Sequence, residues 1–397
     1  MNKYTDCELL QIIEVLKRFQ EGYTLRNVDI ADSFVDELYS SEEEAYVLGT
    51  GTGELFLGKD RILELIKDDW NYWGDVSLYY ENPYLSVNDD VALIVMQGSV
   101  KYSFEDTPER YDNYLNFIRK KMSDQELTSQ QKITFLNWAL MLTYHQRDDK
   151  KREYQWPLCL SGVMKKEGEK WKFTQQHFSI SVADYPDERF ENSKDHQEFF
   201  QKQNLIASVY RKNQITEQHK EFLKEFEQIL FGNKNLTQEV INHFFPESDP
   251  SLLIGPDHNE YSGNEINQYF MDTIGSSLTL ALYYAIATSV NDLTWITVTG
   301  TIEQDIKKDQ QLEQLIQRIN KITECDSTAK EKIFMVQRRI AYLLKEESSG
   351  GHSTYPLRMS FVLSDSKDKP AVQLLHISYP SYWIFEGKVD EISEQVH

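Results

Sequence analysis

Cysteine and long apolar runs are both scarce in this chain of 397 residues. The three cysteines, Cys7, Cys159 and Cys325, are odd in number and far apart. This pattern predicts isolated reduced thiols and excludes a disulfide framework or a cysteine metal cluster. The longest nearly unbroken apolar stretch, residues 278–287, has about half of the ~20 residues that a membrane-spanning helix needs. Because residues 1–10 also lack the apolar centre of a secretion signal, we expect a cytoplasmic protein that does not associate with membranes.

Clustered basic charge is missing as well. The net charge at pH 7 is −22, and the best basic run, Lys150-Lys151-Arg152, follows two aspartates. A surface of this kind repels phosphate backbones and anionic lipid, so no nucleic-acid partner is expected. The histidines are scattered and no nucleophile motif or metal-ligand spacing is present, so we predict neither a metal nor a cofactor.

Aromatic residues are the abundant class. The chain has 23 Tyr, 20 Phe and 7 Trp, within a composition that is 40% hydrophobic and 27% charged. The overall balance is that of a globular protein. Composition alone does not separate aromatic residues that fill a core from those that line a ligand cavity.

The carboxyl half of the chain repeats the amino half. The matched residues, at a constant offset of 199, are Pro157 and Pro356, Ser161 and Ser360, His177 and His376, and Ser179 and Ser378. Farther upstream, residues 92–98 are echoed by residues 294–300. A period this long excludes a solenoid, so each copy must be a complete domain.

Each copy begins with helical periodicity and ends with strand periodicity. The order in both is helix, short helix, short strand, helix and then a series of long strands, which predicts an α+β fold with two tandem domains. We place the first domain at residues 1–184 and the second at residues 214–385, with a charged linker at residues 185–213.

Both copies also carry an insertion with helical stripes, at about residues 105–152 and 304–348. A helical hairpin is predicted in each, and the second helix of the first hairpin opens on a capping box from Thr128 to Gln131. Apolar stripes of this kind must cover the sheet, the mouth of a pocket or the other copy.

The first copy resembles the nuclear-transport-factor-2-like superfamily, and within it the SnoaL-like domains. The residues that carry the resemblance are Gly49-Thr50-Gly51 with Glu54, Gly58 with Ile62, the run Asp69 to Asp75, and Trp171-Lys172-Phe173 with His177-Phe178-Ser179. The second copy keeps Gly263, Ile266, Gly300 and His376-Ile377-Ser378, but it has lost the Gly-Thr-Gly run and both tryptophans. The resemblance implies a curved antiparallel sheet wrapped on helices into a cone with an apolar cavity. It does not imply one activity, because such folds include isomerases, dehydratases and pure binding or assembly modules.

His177 is the leading candidate for chemistry. Alternation along its strand places it on one face with Trp171, Phe173 and Ser179, which predicts that it faces the concave side. An imidazole there could act as a general acid or base. The alternative is a histidine held by hydrogen bonds for structural reasons, and its counterpart His376, with Ser378, favours that alternative.

Asp69 and Glu54 are the acids expected near the cavity. A carboxylate beside Trp70 and Trp73 could have a raised pKa and serve as a base. The alternative for Asp69 is a solvated acid at a helix end.

Aromatic side chains could form the wall of a pocket for a flat apolar ligand. Trp70, Trp73, Tyr80 and Tyr84 are the candidates, together with Phe173, and all of them could equally belong to the core. The run from Gly49 to Gly53 resembles a phosphate cradle, but it lacks the following Gly-Lys-Ser/Thr and is predicted to be a sheet turn.

Three functions remain open from the sequence. The first is a non-catalytic protein that binds a small apolar or aromatic molecule in the first domain, with the second domain as support. The second is an isomerase, dehydratase or cyclase that uses His177 with Glu54 or Asp69 on a carbonyl compound. The third is a protein-assembly module. In each case the two copies are expected to pair through their sheets as an intramolecular pseudo-dimer, and a homo-oligomer is left open.

Overall fold

The structure is a computed structural model of the chain. It describes residues 6–41, 45–105, 108–144, 151–182, 189, 194–209, 215–231, 235–247, 250–273, 276–305, 308–324, 329–365 and 369–381. Residues 185–188 and 210–213 of the predicted linker, and residues 382–385 of the predicted second domain, lie outside these ranges.

The described part of the first copy contains seven strands, and its helices occur before the sheet, between its strands and in the insertion. Its helices are α1 (Asp6–Leu25), α2 (Ala31–Leu38), α3 (Lys59–Tyr72), α4 (Pro108–Ser123) and α5 (Ser129–Tyr144). Its strands are β1 (Tyr46–Leu48), β2 (Leu55–Leu57), β3 (Asp75–Leu78), β4 (Tyr84–Asn88), β5 (Val91–Glu105), β6 (Lys151–Glu167) and β7 (Lys170–Ile180). A further helix, α6 (Lys194–Val209), lies within the predicted linker.

The second copy repeats this order. Its helices are α7 (Glu217–Phe226), α8 (Gln238–Phe244), α9 (Asn264–Asp272), α10 (Lys308–Glu324) and α11 (Ala329–Ser348). Its strands are β8 (Leu252–Ile254), β9 (Glu260–Ser262), β10 (Ser276–Leu280), β11 (Ile286–Val290), β12 (Leu293–Asp305), β13 (His352–Ser364) and β14 (Ala371–Ser378). No helix in the described part of the chain combines the length and the apolarity needed to cross a membrane.

The two sheets have the same strand order. The first runs β2-β1-β7-β6-β5-β3, with β4 also paired to β5, and the second runs β9-β8-β14-β13-β12-β10, with β11 also paired to β12. Each sheet has a single parallel pairing among its described ladders, β1 with β7 and β8 with β14. The predicted α+β fold with two tandem sheet domains, each with an inserted helical hairpin, is therefore confirmed.

One face of each sheet packs against the helices of its own copy, and we call it the interior face. In the first copy the buried stripe of α1 includes Phe19, whose ring lies 5.9 Å from that of Phe34 and 5.4 Å from that of Phe173. In the second copy Phe226 takes the central place, with its ring 5.6 Å from that of Phe244. Aromatic residues therefore fill the space between helices and sheet in both copies.

The opposite faces of the two sheets share a second apolar cluster, and we call this contact the seam. It contains Leu93 and Val95 of β5 together with Leu293 and Trp295 of β12, all at most 4% exposed. Helix α6 adds Ala207 to the same cluster. Burial of this apolar surface favours contact between the sheets.

A β-bulge interrupts the same strand in each copy. Val163 pairs with Gln175 and Met164 pairs with Phe173, which leaves Thr174 as an extra residue in β7. In the second copy Val362 pairs with Leu374 and Leu363 with Val372, which leaves Gln373 as the extra residue. An extra residue reverses the faces on which the following side chains lie.

The four inserted helices belong to a second compact body, whose described residues fall within 103–154 and 303–353. Within it α4 packs on α5, α10 packs on α11, and α5 packs on α11. The predicted capping box at the start of α5 is confirmed, because the Thr128 N–H donates to Gln131 Oε1 at 2.9 Å and the Gln131 N–H donates to Thr128 Oγ1 at 3.2 Å.

Candidate functional site

Polar side chains gather on the interior face of the first copy. The Tyr23 hydroxyl on α1 donates to Asp69 Oδ2 on α3 at 2.7 Å. The Tyr39 hydroxyl, directly after α2, donates to Gln176 Oε1 on β7 at 2.6 Å. Tyr23, Tyr39 and Gln176 are at most 3% exposed. Four elements thus bring two tyrosines, a carboxylate and an amide into one aromatic core, and we call these four residues the interior polar cluster.

Arg26 fixes the end of α3 that carries Asp69. Its guanidinium donates to the main-chain oxygens of Asp69, Trp70 and Trp73, and it forms an ion pair with Asp75 at 2.9 Å. The last carbonyls of a helix have no partner within the helix, so these bonds complete its hydrogen bonding. They also hold Trp70 against Phe34, with the two rings 5.0 Å apart.

Electrostatics keep both tyrosines protonated. Burial raises the pKa of Tyr23 well above its ordinary value, and the charge of Asp69 raises it further. Burial also raises the pKa of Tyr39, again with a contribution from Asp69. Both hydroxyls therefore remain hydrogen-bond donors over the whole physiological pH range.

Two donors near this cluster have no partner. Gln176 Nε2 and Trp70 Nε1 are buried and make no hydrogen bond among the described residues. A buried donor without an acceptor costs roughly 1–3 kcal/mol, so each of these two groups needs an explanation. Such orphan groups can mark the site of an unseen water or ligand.

At the positions that correspond to Tyr39 and Gln176, the second copy carries apolar residues. Leu375 stands at the position of Gln176 in the repeat, and Phe245 follows α8 as Tyr39 follows α2. Both belong to the buried apolar core of that copy. The prediction from sequence missed Tyr23, Tyr39 and Gln176, although the exchange of Gln176 for Leu375 within the repeat was a readable signal.

The prediction that His177 shares a face with Phe173 is wrong. Because Thr174 is a bulge, Phe173 and Gln176 face the interior, whereas His177 faces the seam. There His177 is fully buried, and it has no described contact with Asp69 or Glu54. The alternation rule failed at one inserted residue.

His177 and His376 stack on one another across the seam. Their ring centroids are 4.0 Å apart and their planes differ by 25°. His177 Nδ1 lies 3.0 Å from Ser360 Oγ, and His177 Nε2 lies 2.8 Å from Ser378 Oγ. Each nitrogen of the first histidine thus meets a serine of the second copy.

The second histidine repeats the arrangement in reverse. His376 Nδ1 lies 2.7 Å from Ser161 Oγ, and His376 Nε2 lies 2.9 Å from Ser179 Oγ. Ser179 also contacts His258 Nε2 at 2.8 Å. The predicted residues Ser179 and Ser378 therefore lie at the seam and not at a pocket wall, and the repeated His-x-Ser spacing reflects a reciprocal contact between the copies.

Glu54 also lies away from the interior polar cluster. It closes the turn between β1 and β2, where the Gly51 N–H donates to Glu54 Oε2 at 2.6 Å. The predicted sheet turn at residues 49–53 is confirmed, and its carbonyls at Thr50 and Gly51 accept hydrogen bonds from the buried guanidinium of Arg358 at 3.1 and 3.2 Å. Burial lowers the pKa of Arg358 to about 10 against the opposing charge of Glu54, so the guanidinium remains cationic at neutral pH.

The predicted aromatic residues divide between several places. Trp70 and Phe173 are buried in the interior of the first copy. Trp73 ends α3 and Tyr80 follows β3, each half-buried, whereas Tyr84 packs against the seam cluster. Among the described residues, no group of three or more His, Cys, Asp or Glu side chains could hold a metal ion.

No protein-family model matches the chain, and no curated protein matches it. Among solved structures, it is similar to a provisionally assigned dehydratase of the NTF2-like family from Streptomyces avermitilis, with 11% identity, 45% of this chain and 100% of that chain covered, and a TM-score of 0.30. It is similar to an NTF2-like superfamily protein from Salmonella enterica, with 11% identity, 46% and 96% coverage, and a TM-score of 0.29. It is also similar to a provisionally assigned scytalone dehydratase from Novosphingobium aromaticivorans, with 8% identity, 44% and 85% coverage, and a TM-score of 0.28. The first two of these proteins carry the name of the superfamily that the sequence resembles.

Proposed function

We propose that the first copy binds a small, flat and largely apolar molecule at its interior polar cluster, and that the second copy supports it. The observation that carries this proposal is the asymmetry between the copies. The first interior holds Tyr39 and Gln176, with a donor left over on Gln176, whereas the second holds Phe245 and Leu375 at those positions. Core packing alone gives no reason to retain a buried polar cluster in only one of two copies.

The chemistry of the cluster defines the class of ligand. The free N–H groups of Gln176 and Trp70 require acceptors, which a carbonyl, ether or quinone oxygen would supply. The rings of Phe19 and Phe173 supply the surrounding apolar contact. A neutral aromatic carbonyl compound satisfies both requirements, whereas a phosphate or a sugar would bring polar groups without partners.

In this proposal the chain is an intramolecular pseudo-dimer. The two sheets contact each other through the seam cluster and the reciprocal histidine–serine hydrogen bonds. These contacts would stabilise the fold of the first copy, and the second copy itself would bind no ligand. Such a division of labour is consistent with the loss of the Gly-Thr-Gly run and both tryptophans from the second copy.

Native mass spectrometry of the freshly purified protein tests the ligand. We expect a small-molecule adduct on the wild-type chain, and its loss or a roughly tenfold weaker retention in Gln176→Leu, because one buried hydrogen bond is worth about 1–1.5 kcal/mol. Tyr269→Phe, a change at a half-buried tyrosine that packs on the core of the second copy, is the matched control and should retain the adduct. Equal retention in all three proteins, or no adduct in any of them, would contradict the proposal.

An enzyme at the same cluster is the first alternative, and the Tyr23–Asp69 pair favours it. Asp69 would accept a proton from the bound carbonyl compound while a tyrosine hydroxyl donates to its oxygen. His177 takes no part in this version, because both of its ring nitrogens contact seam serines. Turnover of the identified ligand by the wild type but not by Asp69→Asn, with binding retained in both, would decide for the enzyme.

An assembly module is the second alternative, and exposed apolar side chains on the inserted helices favour it. Ile133 and Leu140 on α5 are 60% and 53% exposed, and Ile333 and Ile340 on α11 are 54% and 40% exposed. Exposed apolar surface of this kind is typical of interaction sites. Light scattering of the wild type and of Ile133→Glu tests this alternative. Self-association of the wild type that Ile133→Glu abolishes would support an assembly module, whereas a wild type that stays monomeric at all concentrations would oppose self-assembly.

A further inference from the structure

We propose that the stacked pair of His177 and His376 is an acid-sensitive latch between the two sheets. Neutral imidazoles hold the sheets together, and acidification separates the sheets before either of them unfolds. This inference concerns the contact between the copies and does not depend on the ligand.

The geometry fits neutral rings. A neutral imidazole has one donor and one acceptor nitrogen, and a serine hydroxyl can serve either of them. Each ring has two serine hydroxyls within 3.0 Å, one at each nitrogen, and all four serines come from the opposite copy. The rings also stack at 4.0 Å, a distance at which two imidazolium charges would repel each other strongly.

Among the described residues, no carboxylate makes a hydrogen bond with either ring of the pair. The groups that face it, element by element, are Gln175 of β7, Cys159 of β6, Thr297 of β12, Arg358 of β13, His258 after β8 and Tyr46 of β1. Arg358 is cationic, and burial raises the pKa of the Cys159 thiol and of the Tyr46 hydroxyl, so both of these stay neutral. The nearby carboxylates within the described ranges interact with other residues. Glu54 lies beside Arg358, and Glu260 accepts a hydrogen bond from Gln97.

Protonation is therefore coupled to opening. Burial, followed by the neighbouring histidine and arginine charges, lowers the pKa of His177 and of His376 well below the ordinary value of 6.5. When the sheets are apart, an exposed histidine takes up a proton below about pH 6.5. When the sheets are in contact, a histidine buried at the seam does not. Above pH 6.5 the closed form therefore has its full stability. Below pH 6.5 the equilibrium constant for closing falls about tenfold per pH unit for each histidine, or about a hundredfold for the pair.

Three backbone amides report on the seam directly. The Thr52 N–H donates to the Ser381 carbonyl at 3.1 Å, the Ser381 N–H donates to the Thr50 carbonyl at 2.9 Å, and the Val182 N–H donates to the Pro256 carbonyl at 2.8 Å. Each of these bonds joins one copy to the other. The ladders β6–β7 and β13–β14, in contrast, lie within single sheets.

Hydrogen–deuterium exchange at single-amide resolution, measured from pH 7.5 to 5.0 and corrected for intrinsic exchange, tests the latch. We expect the protection of Thr52, Val182 and Ser381 to fall by about a hundredfold per pH unit below 6.5, while the ladder amides stay protected. Unchanged protection of the three seam amides at pH 5.0 would overturn the proposal. So would simultaneous loss at seam and ladders, because that result describes global acid unfolding.

The variants assign the effect to the stacked pair. In His177→Gln/His376→Gln the side chains keep a donor and an acceptor but cannot titrate, so the pH dependence of the seam amides should become nearly flat. His219→Gln is the matched control, because His219 is also buried in the second copy but binds Asp365 and lies away from the seam. Retention of the full pH dependence in the double variant, or its loss in the control, would refute the latch.

Imidazole NMR of the wild type keeps the test valid if the double variant does not fold. The His177 and His376 resonances should stay at their neutral positions through pH 6.5 and change only when the seam amides lose protection. A simple titration of either ring near pH 6.5 with the seam still protected would contradict the latch.

Discussion

Tyr39 and Gln176 form a buried hydrogen bond between residues 137 positions apart in the chain. Removing one partner leaves the other polar group buried and unsatisfied, whereas replacing both by the apolar residues of the second copy does not. We therefore expect Tyr39→Phe and Gln176→Leu each to destabilise the protein by about 1 kcal/mol or more. The double variant should lose less than the sum, with a coupling of about 1 kcal/mol.

Urea unfolding of the four proteins measures this coupling. Additive losses within about 0.3 kcal/mol would show that the two side chains do not interact and would remove the basis of the interior polar cluster. The same variants should retain ligand in proportion to the donors that they keep, with Tyr39→Phe intermediate between the wild type and the double variant.

At the residue scale the sequence identified the right positions more often than the right roles. Asp69 and Trp70 were expected at the cavity, and they lie in the interior of the first copy. His177 and Ser179 were also singled out, but they lie at the seam. Tyr23 and Tyr39 were missed, because nothing in a helix or at its end distinguishes a tyrosine that points to a distant carboxylate from one in an ordinary core.

At the element scale the bulge at Thr174 determines which face of β7 carries which chemistry. Insertion of one alanine after Thr174 would place Gln175 and His177 on the interior face and Gln176 and Phe178 on the seam. We expect this insertion to abolish the cooperative fold, because it buries polar groups without partners on one face and separates aromatic contacts on the other.

Thr174→Val is the control for the insertion. It keeps the number of residues in β7 and loses only the hydrogen bond from Thr174 Oγ1 to the Val163 carbonyl at 3.1 Å. The cost should be about 1 kcal/mol, with a native circular dichroism spectrum. An insertion variant that is as stable as Thr174→Val would show that the number of residues at the bulge does not set the register.

The elements themselves were largely readable from the sequence. Apolar stripes predicted α1 and the inserted hairpins, and alternation predicted the long strands β5 and β12. The bulge was not readable, because Thr174 is a β-branched residue typical of regular strands and no glycine or proline stands near it in β7. The repeat gave no warning either, since the second copy has its own extra residue, Gln373, at the same place.

At the scale of the whole molecule the duplication explains why two histidines occur where one would suffice for chemistry. Each His376 contact has a counterpart at His177, so the repeat preserves a mutual contact and not two independent sites. Elsewhere the copies have diverged. Arg358, which binds the turn at residues 50–51, corresponds to Cys159 in the first copy, and one side of the seam is therefore more polar than the other.

The pairing of the copies could be expected from the repeat, but its chemistry could not. Apolar faces on both sheets predict that the sheets meet. The hydrogen bonds between histidine and serine depend on the register between two sheets that are joined only through a linker, and a single sequence carries no record of that register.

A double-mutant cycle on Ser161→Ala and His376→Phe, followed by urea unfolding at pH 7.5, tests most directly whether the copies meet as described. The two atoms are 2.7 Å apart across the seam and their residues are 215 positions apart. We predict a coupling free energy of about 1 kcal/mol or more, because each single variant already breaks the same buried hydrogen bond. Additive effects, with a coupling indistinguishable from zero, would contradict the account.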